Sequence, residues 1–572
     1  TFLDMLTPQL IRITIDNVLG QLPLNVPAFL ESAWLRLGGV EALRTHLWWI
    51  ALAVIAIALV IAFFRYGNMT LTTKASETFV RTMRNDLFAH IQRLPFSWHM
   101  KNQTGDIIQR CTSDVDMIRN FVTEQLVQLF RVAVLLVLGL GFMLRMNWRL
   151  SMVALASIPI VVGYSTYFHR RISKRFTECD ESEGALSTIA QENLTGVRVV
   201  RAFGRELYEK ERFDKENEHM TDLWVKLCGS LSHFWALGDC VSMLQVMLII
   251  VLGAVMCVQG DMTSGELVSF ISYNSMLIWP VRSLGRTISE MSKAGVSIDR
   301  IQYIMDSPEE HDKPDACTPP LNRDIRFEHV SFGYDGEHKV LEDVNATIPA
   351  GSTFAILGST GSGKSTLMHL LNRLYDLPPE NGRITIGGVD IADMKADWVR
   401  ENVGMVLQEP FLFSRTIGEN IGIASRELTM TEMREAAHIA CIDETIDSLT
   451  KGYDTIVGER GVTLSGGQKQ RAAIARTLTR KTPILVFDDS LSAVDAQTDV
   501  LIRTRLRERM KDSTVILISH RVTTLMEADQ IMVMDKGRVT QLGTHEELMK
   551  QEGGMYRRIY DLQMSLKEEE DA

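Results

Sequence analysis

The fold of this chain is decided by the stretch Gly358-Ser-Thr-Gly-Ser-Gly-Lys-Ser-Thr366. It fits the phosphate-loop pattern G-x-x-x-x-G-K-[ST], in which glycines let the backbone wrap around an oxyanion at the start of a helix. The apolar run Thr353–Leu357 before it predicts a buried strand, and Thr366–Leu371 after it predicts a helix. The alternative is a glycine-rich loop that matches the pattern by chance, but such a loop is not expected to lie between a strand and a helix in this order. The sequence therefore predicts a nucleoside triphosphate site.

The residues of this loop have distinct expected roles. Lys364 is placed to reach the β- and γ-phosphates, and the Ser365 hydroxyl is placed to ligate Mg²⁺. Tyr334 lies a short strand earlier, where an aromatic ring can stack on adenine; the alternative is an ordinary tyrosine at a strand end. The predicted ATP-binding residues are Tyr334, Gly358, Ser359, Thr360, Gly361, Ser362, Gly363, Lys364, Ser365 and Thr366.

Length and composition exclude several classes of protein. The chain has 572 residues, too many for one ordinary domain, and 46% of them are hydrophobic. Its net charge of −11 lacks the basic signature of a nucleic-acid binder, so no nucleic-acid partner is expected. The seven cysteines are scattered without a C-x-x-C pair, which predicts reduced thiols and neither disulfides nor a metal site.

The first half carries the pattern of a membrane domain. Trp48–Phe64 is free of charge, glycine and proline and is long enough to cross hydrocarbon. Phe2–Leu19 is a weaker candidate because it carries charged residues. Further apolar cores are Val132–Leu144, Trp148–Tyr167, Val241–Val258 and Leu267–Val281. We therefore predict six membrane helices. The first is expected to be truncated, because the chain opens at Thr1 within a partly apolar stretch.

The connections between these spans predict their orientation. Met146-Asn147 and Gln259–Thr263 are short, whereas the other two connections are long, helical in pattern and rich in Lys and Arg. The positive-inside rule places the long connections in the cytoplasm. The expected turning points, which are candidate coupling helices, lie at about residues 95–106 and 203–213.

Two charges near the spans need an explanation. Asp239 and Arg282 lie at similar predicted depth, near the cytoplasmic ends of the fifth and sixth cores. One hypothesis is that they pair across a water-filled cavity, because burying a charge in the bilayer is costly. The alternative is that both side chains extend separately to the inner headgroups.

The second half begins after a segment rich in proline and charge. This segment, Ser307–Pro320, has no apolar period and predicts a linker, and Ile325–Phe332 predicts the first strand of a new domain. We predict a transmembrane domain at 1–306, a linker at 307–323 and a nucleotide-binding domain at 324–572.

Other polar motifs lie at predicted strand ends and helix starts of this domain. Ile484–Asp489 predicts an apolar strand that ends in two carboxylates. Asp488 is suited to Mg²⁺, and Asp489 stands where a general base for the attacking water belongs. Gln408 and His520 each follow a strand-like run and are the other predicted catalytic residues. A second anion site, against the alternative of a simple capping turn, is predicted at Leu464, Ser465, Gly466, Gly467 and Gln468.

Together these residues resemble one half of an ABC transporter of the exporter type (type IV fold). The matching motifs are Walker A at Gly358–Thr366, the Q-loop Gln408, the X-loop 458–461, the signature Leu464–Gln468, Walker B at Ile484–Asp488, the D-loop 492–495 with Asp495, and the switch His520. The resemblance implies an α-helical membrane domain followed by an α/β P-loop ATPase domain. It implies that ATP and Mg²⁺ are bound, with Ser365, Gln408 and Asp488 as metal ligands. It also implies a second exporter half as partner, whose ATP the signature of this chain would complete, and a place in the cytoplasmic membrane with the ATPase domain in the cytoplasm.

One position departs from the family pattern. The family has Glu after Walker B, whereas this chain has Asp489. We therefore expect the degenerate-site subunit of a heterodimeric bacterial multidrug exporter, whose partner carries Glu. The alternative is a homodimer with slow hydrolysis. The expected cargo is an amphipathic small molecule or drug in contact with membrane lipid. Alternatives are a lipid or peptide exporter or flippase, and, less favoured, an ATP-gated channel or sensor.

Overall fold

The structure is a computed structural model, and it describes residues 2–22, 45–335, 338–425, 427–458, 461, 464–490, 494–509 and 512–571. Its residues form two compact units. The first comprises Thr1–Gln92 and Gln103–Ser307, and the second comprises Arg93–Asn102 and Pro308–Ala572. The domain boundaries given above stay predictions.

The described residues of the first unit are mainly helical. The π-helical segment Thr14–Leu19 extends the first helix of this unit. Two further π-helical segments, Arg110–Asp114 and Phe121–Gln125, join three shorter helices into one continuous helix, Thr104–Met146. The helices are α1 Leu6–Ile13, α2 Trp48–Arg93, α4 Thr104–Gln109, α5 Val115–Asn120, α6 Leu126–Met146, α7 Trp148–Thr195, α8 Val197–Ala202, α9 Glu206–Gln259 and α10 Ser264–Met305, with α3 Phe96–Lys101 in the second unit.

Four helices within the described residues are long and apolar enough to cross a membrane. They are Trp48–Ile91, Thr104–Met146, Trp148–Thr195 and Glu206–Gln259. α10 is long, with 42 residues, but serines and an asparagine interrupt its apolar core, and α1 is short. Length and composition thus support a helical membrane region without establishing the predicted count of six.

The charges in the weak first candidate span have partners at the start of α10. Arg12 forms an ion pair with Glu266 at 2.7 Å, and the buried Asp16 accepts a hydrogen bond from the backbone N–H of Gly265 at 2.8 Å. A carboxylate at a helix N-terminus satisfies a donor that has no intrahelical partner. These contacts explain why charged residues are tolerated in an otherwise apolar stretch.

The two short connections end in helix caps. Asn147 accepts the backbone N–H of Leu150 at 3.1 Å and so starts α7 directly after α6. Thr263 and Glu266 exchange reciprocal bonds of 3.1 and 3.2 Å, which form a capping box at the start of α10. Each cap ends one helix and starts the next within a few residues, as the short connections predicted.

At the second turning point the chain turns at residues 203–205, inside the predicted range, but the short helix precedes that range. The short helix between α7 and α9 is Val197–Ala202, whereas residues 206–213 already belong to α9. The reason is backbone geometry, since Gly204 takes a φ of +59° that ends the short helix, and α9 follows at once. The first turn agrees better with the prediction, because α3 lies inside residues 95–106.

The second unit contains two sheets. The larger has the strand order β10-β9-β3-β8-β7-β6, and all its neighbours are parallel except the edge pair β10–β9; the smaller, β2-β1-β4-β5, is antiparallel. The strands are β1 Ile325–Phe332, β2 Leu341–Ile348, β3 Thr353–Gly358, β4 Arg383–Ile386, β5 Val389–Asp390, β6 Val403–Val406, β7 Ile484–Asp488, β8 Thr514–Ile518, β9 Gln530–Asp535 and β10 Arg538–Gly543.

Helices cover the larger sheet. Apolar side chains from the two sheets and from these helices form the hydrophobic core of the unit. Such a layered arrangement follows from parallel strands that are apolar on both faces. The helices are α11 Lys364–Leu371, α12 Ala396–Asn402, α13 Ile417–Gly422, α14 Met430–Ile439, α15 Asp443–Ser448, α16 Gly466–Leu478, α17 Ala496–Arg509, α18 Val522–Leu525, α19 His545–Met549 and α20 Met555–Asp571.

The segment predicted as a linker makes specific contacts within the second unit. Both oxygens of Glu310 accept hydrogen bonds from Arg400, at 2.8 and 2.6 Å. Asp312 forms an ion pair with the buried Arg373 at 3.0 Å. Paired arginine and carboxylate groups of this kind have a fixed geometry. This part of the segment is therefore anchored and is not a loose tether.

Candidate active site

The parallel sheet brings the distant sequence motifs to one edge. β3, β8, β7 and β6 are neighbours, and Asp488 at the end of β7 stands in register with Ile518 at the end of β8. The carboxyl ends of parallel strands form the usual binding edge of an α/β sheet. Gly358 ends β3, Gln408 follows β6, and His520 follows β8. Four of the predicted motifs thus meet at this edge.

Glycine is required at defined positions of the phosphate loop. Gly361 and Gly363 take φ values of +82° and +94°, a region that side chains disfavour. A Cβ at Gly358 would overlap the carbonyl oxygen of Met534 on β9. α11 begins at Lys364 directly after the loop. The loop and the first turn of this helix have the backbone geometry of an anion cradle, and phosphate binding by them stays a prediction.

Lys364 is held over the loop by neutral oxygens. Its Nζ donates hydrogen bonds to the carbonyl oxygens of Gly358 and Ser359 at 2.9 and 2.7 Å. Burial lowers the pKa of Lys364, while the charges of Asp488 and Asp489 act in the opposite direction. Within the described residues it forms no ion pair, so its charge is available to an incoming phosphate.

The metal ligands implied by the resemblance have suitable chemistry. Ser365 follows Lys364 on α11 and is half-buried, and the Asp488 carboxylate is only 5% exposed. A hydroxyl and a carboxylate oxygen match the oxygen preference of Mg²⁺, which when bound neutralises charge on phosphate oxygens. Gln408 is exposed, and its backbone carbonyl accepts a bond from Gln470 at 3.3 Å.

Asp489 occupies a special backbone position. Its φ is +43°, in the left-handed region where Asp is better tolerated than most residues. Burial raises the pKa of Asp489, and the neighbouring Asp488 adds to this, while His520, Arg521 and Lys364 oppose it. His520 is half-buried, and its backbone carbonyl accepts a bond from Gln563 at 2.7 Å. A carboxyl with a raised pKa beside a histidine is chemically suited to accept a proton.

Tyr334 belongs to an aromatic cluster beside the loop. Its hydroxyl lies 2.9 Å from the hydroxyl of Thr366, and its ring is edge-on to those of Phe332 and Tyr375, with centroids 5.3 and 5.0 Å apart. The side chain is 44% exposed, which leaves part of the ring open to a ligand. Its position is compatible with the predicted adenine contact.

Sequence reasoning missed two members of this cluster. Tyr375 contacts Tyr334, and Phe96 of α3 is edge-on to Tyr375 at 5.5 Å and 86°. Nothing in the spacing of Phe96 ties it to residues so far along the chain. The only signal at Tyr375 is an aromatic residue shortly before the Pro378-Pro379 turn, which is weak evidence.

The signature forms the start of α16. Ser465 and Gln468 make a capping box, with reciprocal bonds of 3.3 and 2.9 Å. The capping turn considered as the alternative is therefore present. It is compatible with an anion site, because a Cβ at Gly466 would meet open space, and the helix start is accessible from that side. Leu464 is buried beneath it, and Gly467 lies in the first turn.

The D-loop and X-loop are described only in part. Asp495 is exposed and accepts the backbone N–H of Thr498 at 2.9 Å, which starts α17. Ser492 and Ala493 of the D-loop, and Glu459 and Arg460 of the X-loop, lie outside the described residues.

Asp239 and Arg282 are in contact within the first unit. Arg282 Nη1 donates to Asp239 Oδ1 at 2.7 Å; the arginine side chain is 7% exposed and the aspartate 65%. The structure thus brings together the two charges that the sequence placed at similar depth. Their role in a cavity stays a proposal.

Comparisons with known proteins agree with this arrangement. The family model described as ABC transporter transmembrane region matches residues 1–281, and the one described as ABC transporter matches residues 341–492. Among solved structures, a bacterial Atm1-family ABC exporter with ATP bound superimposes with a TM-score of 0.79 at 27% identity, covering 98% of this chain and 97% of that one.

Curated relatives cover most of the chain. The uncharacterized ABC transporter ATP-binding protein YknU of Bacillus subtilis is 35% identical over 90% of this chain and 88% of its own length. The ATP-dependent lipid A-core flippase of Desulfotalea psychrophila is 34% identical over 90% of this chain and 89% of its own length. The probable multidrug resistance ABC transporter ATP-binding/permease protein YheI of Bacillus subtilis is 35% identical, over 86% and 84%.

These matches settle the class of the protein. It is integral to the cytoplasmic membrane, with its nucleotide-binding domain in the cytoplasm, and it couples ATP hydrolysis to transport. The chain belongs to the ABC transporter family, as an exporter half with a helical transmembrane region followed by an ATP-binding domain.

Proposed function

We propose that this chain exports amphipathic small molecules or drugs as one subunit of a heterodimer, and that its own ATP site hydrolyses slowly. Asp489 carries the proposal, because it follows the buried Asp488 where the family has Glu. The aspartate side chain is one methylene shorter, and a misplacement on the order of 1 Å costs about a hundredfold in rate.

The remaining parts of the site support binding. Lys364, the phosphate loop and Tyr334 retain the residues and contacts expected for ATP, and Ser365 and Asp488 for Mg²⁺. The signature helix start, with Ser465 as cap, is also intact. An intact signature beside an altered base position fits a subunit that completes a competent site on a partner carrying Glu.

The relatives favour amphipathic cargo. A multidrug resistance transporter and a lipid A-core flippase are similar to this chain at comparable identity. Because one of these relatives is described as a lipid A-core flippase, the second candidate function is the flipping or export of a lipid.

Transport into inside-out vesicles tests the proposal. Vesicles that contain the chain together with its partner half should accumulate a fluorescent amphiphile when ATP is added, and Lys364→Ala should abolish accumulation. Purification from native membranes should yield two different exporter halves in equal amounts. Recovery of this chain alone as an active dimer would contradict the heterodimer.

A further inference from the structure

Arg282 is a buried cation whose hydrogen-bonding capacity is only partly used. Nη1 donates to Asp239, but Nε and Nη2 are buried and have no hydrogen-bond partner among the described residues. A guanidinium carries five N–H donors, and leaving buried donors unpaired costs free energy. Two nitrogens of this guanidinium are therefore left without an acceptor among the described residues.

A second polar group beside Arg282 is also without a partner. The hydroxyl of Tyr164 is buried and has no hydrogen-bond partner within the described residues. Gly238 makes room for this arrangement, since a Cβ there would overlap both the Tyr164 hydroxyl and Arg282 Nη2. Tyr164 of α7 and Arg282 of α10 thus bring unpaired polar groups together beside Gly238 of α9.

An aromatic surface adjoins these groups. The guanidinium carbon of Arg282 lies 5.3 Å from the ring centroid of Trp235, and Trp235 stacks on Trp279 at 5.8 Å with an interplanar angle of 13°. Both tryptophans are partly exposed, at 44% and 58%. Stacked indoles offer a flat apolar face next to a cation, which suits a molecule with a charged head and an apolar body.

We propose that Arg282, Tyr164 and the Trp235–Trp279 pair form a binding site for anionic amphiphiles, with a carboxylate, sulfonate or phosphate head on Arg282 and the apolar body on the indoles. Guanidinium favours such heads because its planar fork donates two parallel hydrogen bonds to them. Asp239 is the competing anion and, being exposed, can remain hydrated while the head binds. This inference rests on the proposed export function and narrows its cargo.

Binding without ATP tests the site. The full chain in phosphatidylcholine nanodiscs is titrated with 11-(dansylamino)undecanoic acid and with its N-methylamide, and energy transfer from tryptophan to dansyl is measured. Arg282→Gln should weaken binding of the acid about tenfold or more and leave the amide unchanged. Asp239→Asn should increase the affinity for the acid several-fold, because it removes the negative charge that competes for Arg282.

Arg286→Gln is the matched control. Arg286 lies one turn further along α10, is 65% exposed and stands 3.9 Å from Glu290, so its loss should change neither affinity. If the wild type binds acid and amide equally, or if Arg282→Gln and Asp239→Asn leave the preference for the acid unchanged, the site does not exist as proposed. A guanidinium whose acceptor comes from a partner subunit would give this second result.

Two further arms separate related possibilities. Adding phosphatidylglycerol to the nanodiscs displaces the acid if the natural anion is a lipid headgroup, and leaves it bound if the anion belongs to a cargo; either result keeps the anion site. Acid-selective binding without ATP-driven transport in vesicles refutes the export function but keeps the site. Transport with equal affinity for both probes refutes the site alone.

Discussion

The backbone N–H of Asp489 donates a hydrogen bond of 2.9 Å to the carbonyl oxygen of Ile518, the last residue of β8. This bond ties the residue after Walker B to the strand that leads to His520. The position of Asp489 is thus fixed by the sheet and by its positive φ, and a change of side chain alters reach without moving the backbone anchor.

The pKa of Asp489 predicts a pH-dependent stability. Burial raises this pKa, so the folded state holds the proton more tightly than the unfolded state does. The resulting stabilisation is fully present at a pH below the pKa of Asp489 in the unfolded state. It is lost as the pH rises through the pKa of Asp489 in the folded state. Asp489→Asn should therefore raise the apparent unfolding temperature at neutral pH, and this gain should shrink as the pH is lowered.

Asp495→Asn is the control with the opposite sign. The hydrogen bond from Thr498 lowers the pKa of Asp495, so its charge contributes stability above the unfolded pKa that is lost in acid. This variant should be slightly less stable than the wild type at neutral pH, with the difference closing as the pH falls. The same trend for both variants in tryptophan-detected thermal unfolding would be inconsistent with this account.

The signature serine should have two separable roles. Ser465→Ala removes the cap of α16 and should cost about 1 kcal/mol of stability. Ser465→Asp and Ser465→Asn both keep a capping oxygen, so both should unfold near the wild-type temperature. Only the aspartate adds a negative charge where phosphate oxygens are expected, so it should abolish ATPase activity of the assembled dimer. A stable and fully active Ser465→Asp would exclude the predicted anion site.

Tyr375 should support nucleotide binding through Tyr334. Tyr375→Leu removes the edge-on contact that orients Tyr334 and should raise the dissociation constant for ATP roughly two- to tenfold. Tyr560→Leu is a suitable control, because the Tyr560 ring contacts His545, in the C-terminal segment of the domain. Equal ATP affinity in the wild type and in Tyr375→Leu would show that Tyr334 is positioned without this ring.

The chemistry of the site could be predicted from sequence where short motifs fix it. β1 has the predicted bounds, β3 is one residue longer than predicted and β7 is one residue shorter. The agreement is this good because dense apolar runs ended by glycine or aspartate specify strands well. The family resemblance implied an α/β P-loop domain, whereas the strand order that brings Asp488 beside Ile518 was not predicted.

Contacts between distant residues were not predicted, apart from the hypothesised pairing of Asp239 with Arg282. Phe96 and Tyr375 are far apart in the chain, and no periodicity connects them. The short helix Val197–Ala202 was missed because its end is set by the left-handed backbone of Gly204, which sequence spacing does not reveal. The orphaned nitrogens of Arg282 depend on helix rotations, which are also invisible in sequence.

The central claim is that Asp489 limits hydrolysis at the site of this chain, and ATPase activity of the purified chain in nanodiscs tests it most directly. The wild type alone should turn over slowly, Asp489→Glu should raise the rate by about ten- to a hundredfold, and Asp489→Asn should remain inactive. Brisk turnover by the wild type, unchanged or slower in Asp489→Glu, would show that Asp489 is a competent base and would contradict the degenerate site.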